Sequence, residues 1–298
     1  MKVGIHEVAI GPYADRETYR AFGVNADRLG FSTLWNLEHV MMLERVESTY
    51  PYGILPDDRT FPILNPYVGL SFLAGQTERI RLATGVALFT QYHPLLTAKL
   101  IGTLDYLSGG RFVFGVGVGW LREASELLGV PWENRLSRAR EYVAALRAVW
   151  GEAPNDFKGE FVEFEGVLSF PKPVNGSVPV FLGGNTEPAL KRAADYGNGW
   201  FGLKLTADEA REKIARIKEL LHENGRGEEP FEFAVSPAEG STPEILEAFH
   251  EAGVDECVLW MDHFGGVMEA AGVPDLLERL KAEWVEPAAR LSGAPALS

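Results

Sequence analysis

Three short stretches of this chain combine residue types that could do chemistry. The first is Glu38-His39, with Trp35 just upstream. Histidine exchanges protons near neutral pH and a neighbouring carboxylate favours its charged form, so Glu38 is expected to tune His39 in acid–base work. A hydrogen-bonded structural histidine uses the same residues, and the dipeptide alone leaves both roles open. The second stretch is Gly115-Val116-Gly117-Val118-Gly119-Trp120. Alternate glycines strip one face of a strand of side chains, so either a flat ligand or another segment of backbone must lie against it. The spacing is not that of a dinucleotide-binding turn, and no suitably placed acidic residue follows a second strand. The third, Gly183-Gly184-Asn185-Thr186, follows the apolar run Val180-Phe181-Leu182 and leads into the helical Glu187-Pro188-Ala189-Leu190. Backbone amides at such glycines can approach an anion, while Asn185 or Thr186 caps the helix whose positive end faces it. A tight strand-to-helix turn with an ordinary cap would look alike.

These stretches are far apart in sequence and need a scaffold that gathers them. Short apolar runs alternate with amphipathic segments throughout, as expected of buried parallel strands covered by their connecting helices. Eight strands are predicted, at Val3–Val8, Thr33–Asn36, Ile80–Leu88, Phe112–Val118, Val180–Leu182, Gly199–Leu203, Phe231–Val235 and Glu256–Met261. Helices are predicted at Asp15–Leu29, Pro66–Gln76, Pro94–Leu107, Arg138–Trp150, Glu187–Tyr196, Ala207–Asn224 and Pro243–Ala252, with a last one after Pro274. Eight such units with right-handed crossovers close most simply into a TIM (β/α)8 barrel, read here as one domain over residues 1–298. All three stretches then fall at strand C-terminal ends, where barrels build active sites. Two insertions interrupt the rhythm. Met41–Phe61, rich in Pro, Tyr and acidic residues, reads as a lid after strand two, and Phe157–Phe170 reads as a β-hairpin before strand five.

The motifs also form a recognisable set. Arg79-Ile80-Arg81-Leu82-Ala83-Thr84-Gly85-Val86, His93-Pro94, Ala98-Lys99, Thr103-Leu104-Asp105, Leu107-Ser108-Gly109-Gly110-Arg111-Phe112 and Gly115 to Trp120 together resemble the luciferase-like monooxygenase superfamily. With Trp35 to His39, Tyr50-Pro51-Tyr52, and Phe170-Pro171-Lys172-Pro173-Val174 leading to Gly183-Gly184, the resemblance covers about two-thirds of the chain. It is nearest to the branch that uses coenzyme F-420, a deazaflavin hydride carrier; other relatives use FMN. The resemblance implies an oxidoreductase whose cofactor ring lies in the barrel mouth near His39, with the phosphate tail near Gly183-Gly184. It implies cofactor contacts from Trp35, Gly85, Val86, Gly117, Gly119, Trp120, Gly183, Gly184, Asn185 and Thr186, and a non-prolyl cis peptide at Gly85-Val86. His39 with Glu38 would be the catalytic pair. Deazaflavin-dependent sugar-phosphate dehydrogenases of this superfamily carry a carboxylate where this chain has Trp120, so an apolar or aromatic substrate fits better than a sugar phosphate. An acidic coenzyme F-420 tail would need local cations such as Arg111, Arg122 or Lys99.

The rest of the composition narrows the class. A formal net charge of −14 opposes binding to nucleic acid or anionic lipid and leaves a small-molecule substrate. Cys257 is the only cysteine, which excludes an intramolecular disulfide and a Cys-rich zinc site. The opening Met1-Lys2-Val3-Gly4-Ile5-His6-Glu7 becomes polar too early for a signal peptide, and no apolar run approaches a membrane span, so the expectation is a cytoplasmic protein. A homodimer is expected from the resemblance, as is a separate flavin reductase if the cofactor is FMN. Two other readings are a non-catalytic flavin-binding protein and a metal-dependent barrel hydrolase using His6, His39, His93 and His263. The second lacks a His-x-His pair on any strand, and no metal site is expected.

Overall fold

Strands apolar on both faces must lie between two buried layers. The computed structural model, which describes residues 1–50, 58–264 and 269–291, places them so. β1 (Lys2–His6), β2 (Thr33–Asn36), β3 (Arg81–Thr84) and β4 (Phe112–Val116) come first, and β5 (Asn155–Lys158) and β6 (Glu163–Val167) pair as an antiparallel hairpin apart from them. β7 (Val180–Gly183), β8 (Gly199–Leu205), β9 (Glu232–Pro237) and β10 (Glu256–Trp260) complete a closed parallel barrel, in which Lys2 to His6 of β1 lie opposite Glu256 to Trp260 of β10. The expected eight-stranded barrel and its hairpin excursion are both present.

Around it run α1 (Arg16–Leu29), α2 (Pro66–Ala74), α3 (Pro94–Ser108), α4 (Arg122–Leu127), α5 (Arg135–Trp150), α6 (Glu187–Tyr196), α7 (Ala207–Glu223), α8 (Ile245–Ala252), α9 (Val273–Leu280) and α10 (Glu286–Leu291). Local chemistry sets their ends. Asp15 caps α1 by accepting from the Thr18 amide, Gly30 ends that helix at φ 82°, and Thr206 with Glu209 forms a reciprocal capping box on α7. No helix among the described residues is long and apolar enough to cross a membrane.

Period-two alternation sends Trp35, Ala83, Val113, Phe181, Phe201, Val258 and Trp260 into the barrel, where they form an inner cluster distinct from the core beneath the helices. At the N-terminal end the same inward faces carry charge. Arg81 pairs with Glu232 at 3.1 Å and Glu256 at 3.3 Å, Lys2 reaches Glu232 at 3.2 Å, and the Ser32 hydroxyl donates to Glu256, whose side chain is 1% exposed.

The boundaries differ from expectation where the chain prepares the mouth. β1 stops at His6 because Glu7 takes φ 65°. β3 stops at Thr84, where the chain steps outward before rejoining β4 through a bridge from Ala87 to Val116. Apolar character continues through both exits, which is why the sequence reads as longer strands. The six-residue α4 was not expected, and α5 begins at Arg135 rather than Arg138. In the Met41–Phe61 insertion, residues 51–57, including Pro51 and Tyr52, lie outside the described residues. Its described part docks on α4, since the Glu123 carboxylate accepts from the Ser48 amide at 2.9 Å and hydroxyl at 2.6 Å.

Candidate active site

The mouth is organised around the step after β3. Gly85-Val86 is a cis peptide, as the resemblance implied. Val86 fills the space left by two glycines: a Cβ on Gly117 would stand 2.6 Å from Val86 Cγ2, and one on Gly183 would stand 2.8 Å from Val86 Cγ1. A Cβ on Gly115 would overlap the Thr84 carbonyl oxygen. Gly115 in β4 and Gly117 just beyond it therefore make room for the neighbouring segment, one of the two roles left open by their spacing. Gly119, at φ 77°, has only Leu88 within reach of a Cβ.

Trp35 is fully buried at the end of β2 and stacks on Phe201, with ring centroids 4.8 Å apart. Three residues on, Glu38 accepts from the Leu88 amide at 2.6 Å and the Tyr92 hydroxyl at 2.7 Å, tying the exit of β2 to the loop after β3. Burial raises its pKa and those two bonds pull it back. His39 sits edge-on to Trp120 at 5.9 Å, and Trp120 meets Tyr50 at 5.0 Å, so these rings make one aromatic wall. Burial lowers the His39 pKa, favouring neutral imidazole. Among the described residues no hydrogen bond joins Glu38 to His39, and no charge contributes to that shift. The expected tuning of His39 by Glu38 is thus absent: the carboxylate is turned to the loop.

Sequence reasoning named His6 only as a possible metal ligand, and the structure places it against the step at Gly85. Its side chain points into the barrel, its Nε2 lies 2.5 Å from the Gly85 carbonyl oxygen, and its ring stacks on Trp260 at 4.8 Å with 10° between planes. Burial depresses its pKa to about 4, so at neutral pH the ring is uncharged; Nε2–H donates to Gly85 and Nδ1 is left as a buried acceptor without a partner. The available signal was a polar pair, His6-Glu7, at the C-terminal end of a strand, the same pattern that singled out Glu38-His39.

At the β7 exit, Gly184 has φ 114°, a conformation that favours glycine. Asn185 is not free to meet a ligand with its amide. Its Nδ2 donates to the Leu203 carbonyl at 2.7 Å and its Oδ1 accepts from the Leu203 amide at 3.0 Å, fastening the turn to β8. Thr186 is the N-cap of α6 and makes no side-chain capping bond, so the exposed helix start beside Gly184 is the part of the turn open to an anion.

A family model for luciferase-like monooxygenases matches residues 6–274 of this chain. The chain belongs to that family. Its relatives include an uncharacterized Mycobacterium tuberculosis protein, 34% identical over 259 residues, which span 86% of this chain and 91% of the relative. The 5,10-methylenetetrahydromethanopterin reductase of Archaeoglobus fulgidus is 35% identical over 167 residues, 55% of this chain and 48% of that protein. In fold it is similar to the coenzyme F-420-dependent tetrahydromethanopterin reductase of Methanopyrus kandleri, with a TM-score of 0.71 at 18% identity over 95% of this chain and 98% of that one. The family is one of oxidoreductases, and the enzyme class and barrel inferred from the motifs both stand.

As a luciferase-like protein the chain departs from expectation in its cations. Arg111 donates to the carbonyls of Ala74, Thr77, Ile80 and Ser108, Arg122 pairs with Glu126 at 2.6 Å, and Lys99 donates to the Phe170 carbonyl. Arg111 is committed to backbone carbonyls, while Arg122 and Lys99 are exposed and already have partners in the protein. Arg135, at the start of α5, stacks on Trp132 at 3.9 Å and leaves its Nε without a partner. Among the described residues no group of His, Cys, Asp and Glu side chains could hold a metal ion, and His93 caps α3.

Proposed function

We propose that this protein is a coenzyme F-420-dependent oxidoreductase that moves hydride to or from a small, uncharged, apolar or aromatic substrate at the barrel mouth. One observation carries the reading. Four buried ring nitrogens of the mouth, on His6 Nδ1, Trp35 Nε1, Trp120 Nε1 and Trp260 Nε1, have no protein partner. Buried polar atoms are seldom left so, and a flat heterocycle edged with carbonyls and ring nitrogens would supply what they lack. These residues, the aromatic wall and the open start of α6 fit a deazaflavin or flavin with its phosphate. Such a group, when bound, supplies two-electron chemistry. The chain's part is to hold the ring in the mouth above the buried Trp35, meet the phosphate at Gly184 and Thr186, exclude water with Trp120 and Tyr50, and exchange a proton at the His39 imidazole. The M. kandleri structure supports the deazaflavin by its cofactor. The commitment of Arg111 to backbone carbonyls favours the second reading, an FMN-dependent monooxygenase fed by a separate reductase.

Fluorescence-quenching titrations with coenzyme F-420, FMN and FAD decide between them. The expected result is tightest binding of coenzyme F-420; tighter binding of FMN overturns it. Placing a bulky residue at Gly184 is a poor probe of the phosphate site, because φ 114° strains any side chain there. Thr186→Asp is a cleaner one. Aspartate is a good N-cap and preserves α6, but its charge at about 4 Å from a phosphate costs several kcal/mol at an effective dielectric near 20. Cofactor affinity is expected to fall more than about tenfold with the apoprotein melting temperature unchanged. We also propose a homodimer built through α2 and α3, which leave Val68, Phe72, Leu96, Tyr106 and Leu107 exposed. Light scattering is expected to show two chains, and Leu107→Glu to return one.

A further inference from the structure

The insertion after β2 meets the barrel without a core of its own. Residues 40–50 form neither helix nor strand, and not one of their side chains is buried, so apolar packing does not hold them. Hydrogen bonds do. Both oxygens of the Glu123 carboxylate are turned to this stretch: Oε1 accepts from the Glu47 amide at 2.5 Å and the Ser48 amide at 2.9 Å, and Oε2 accepts from the Ser48 hydroxyl at 2.6 Å. The Ser48 hydroxyl in turn accepts from the Arg122 amide at 3.1 Å. Among the described residues, every hydrogen bond from residues 41–49 to the body of the barrel is made at this point. Burial pushes the Glu123 pKa up, but the Ser48 hydroxyl and the amides of Glu123, Ser48 and Glu47 bring it down to about 2, so the acceptor is ionised at neutral pH.

The two sides of this contact are unequal. Leu121, Ala124 and Ser125 are buried, and the Ser125 hydroxyl donates to the Val130 carbonyl at 3.1 Å, so α4 is fixed to the barrel and the insertion is the part that docks. Ser48 lies against Arg122 and Tyr50 against Trp120, so the two segments pass in opposite directions. Gly119, at φ 77°, turns the chain just before Trp120. The Trp120 ring then meets Tyr50 at 5.0 Å and His39 at 5.9 Å. The ionic anchor and the aromatic wall are thus neighbours along both segments.

We propose that Glu123 is a positioning residue, which holds Tyr50 on Trp120 and so keeps the mouth closed to water beside His39. It acts at one remove, through Ser48 and Tyr50. The docking belongs to the apoprotein, while its value to the reaction rests on the hydride-transfer function above. There the closed wall keeps the His39 imidazole desolvated and neutral, ready to take a proton. A carboxylate suits this task because one acceptor group can gather three donors from a segment that has no buried side chain to offer.

The test compares Glu123→Ala and Glu123→Gln with wild type, first as apoprotein. Losing hydrogen bonds to a charged acceptor is expected to speed tryptic cleavage after the exposed Arg45 about tenfold in Glu123→Ala, since cleavage tracks the opened population. Acrylamide quenching of Trp120, taken as the difference from a Trp120→Phe background, should rise with it. The melting temperature should hold, because residues 40–50 bury no side chain. By nuclear magnetic resonance the His39 pKa should move up toward the ordinary histidine value as water reaches the ring. Loss of a negative charge alone would move it down, so the sign separates positioning from simple electrostatics. Glu123→Gln keeps an acceptor oxygen and should recover much of the wild-type behaviour. Faster cleavage with Trp120 and His39 unchanged, or a lowered His39 pKa, overturns the proposal. With coenzyme F-420 or FMN bound, acrylamide should quench the cofactor more readily in Glu123→Ala, and equal quenching overturns the role in the reaction. If neither cofactor binds, the function above fails instead, and the apoprotein measurements still decide what Glu123 does.

Discussion

His39→Ala is expected to lower turnover by about 10²–10⁴-fold while leaving the cofactor dissociation constant within a few-fold of wild type. The imidazole lies on the aromatic wall with Trp120, and burial keeps it neutral at physiological pH. A neutral ring can take a proton as charge develops in the transition state, a benefit absent from the ground state, so the loss appears in kcat. Because its pKa is depressed in the folded protein, activity that needs the neutral ring persists to more acid pH than a free histidine would allow. The stability sign is the same. Protonation favours the unfolded chain, so stability is lost as pH falls below the ordinary histidine range. His6 adds to this loss between 6.5 and about 4. Steady-state kinetics at saturating cofactor are decisive: unchanged kcat in His39→Ala assigns the residue to packing. Glu38→Gln should leave the acid limb of the pH profile in place, since the carboxylate serves Leu88 and Tyr92.

Arg81→Met is expected to cost about 3–5 kcal/mol, the largest stability effect here, with kcat intact. Arg81 faces the carboxylate of Glu256, which is 1% exposed at the closed end of the barrel, and removing the cation strands that charge. Lys2 still reaches Glu232 but among the described residues pairs with no other carboxylate. The double variant Arg81→Met, Glu256→Leu should recover much of the loss, because no buried charge is then left unpaired. Chemical denaturation of the two variants checks this, and equal destabilisation of both would count against an electrostatic origin.

The barrel was legible because its strands are apolar on both faces and its helices carry ordinary end signals, as at Asp15 and Gly30. The cis peptide came from resemblance, and residue spacing alone gave no hint of it. The glycine motif told only half its meaning. Gly115 and Gly117 announce a close neighbour, but that the neighbour is Thr84 and Val86 is a fact of sheet order. Asn185 reads as a cap or ligand, yet its amide complements the Leu203 backbone, a pairing across 18 residues that no local pattern encodes. The stacking of His6 on Trp260 and the approach of Lys204 to that same ring stayed hidden for a further reason. Both contacts form only when β1, β8 and β10 close around the barrel, and that of Lys204 coincides with a left-handed backbone that breaks the strand rule by which a sequence is read.

The ionic cluster of Arg81, Glu232, Glu256 and Lys2 lies at the opposite pole of the barrel from His39. Durability and selectivity therefore draw on separate sets of positions along the same strands. Lineages carrying this chain can drift at the mouth, acquiring new substrates through changes near Trp120 or Lys204, while the far pole holds the barrel closed. Adaptation to heat or salt can proceed at that pole without retraining the catalyst.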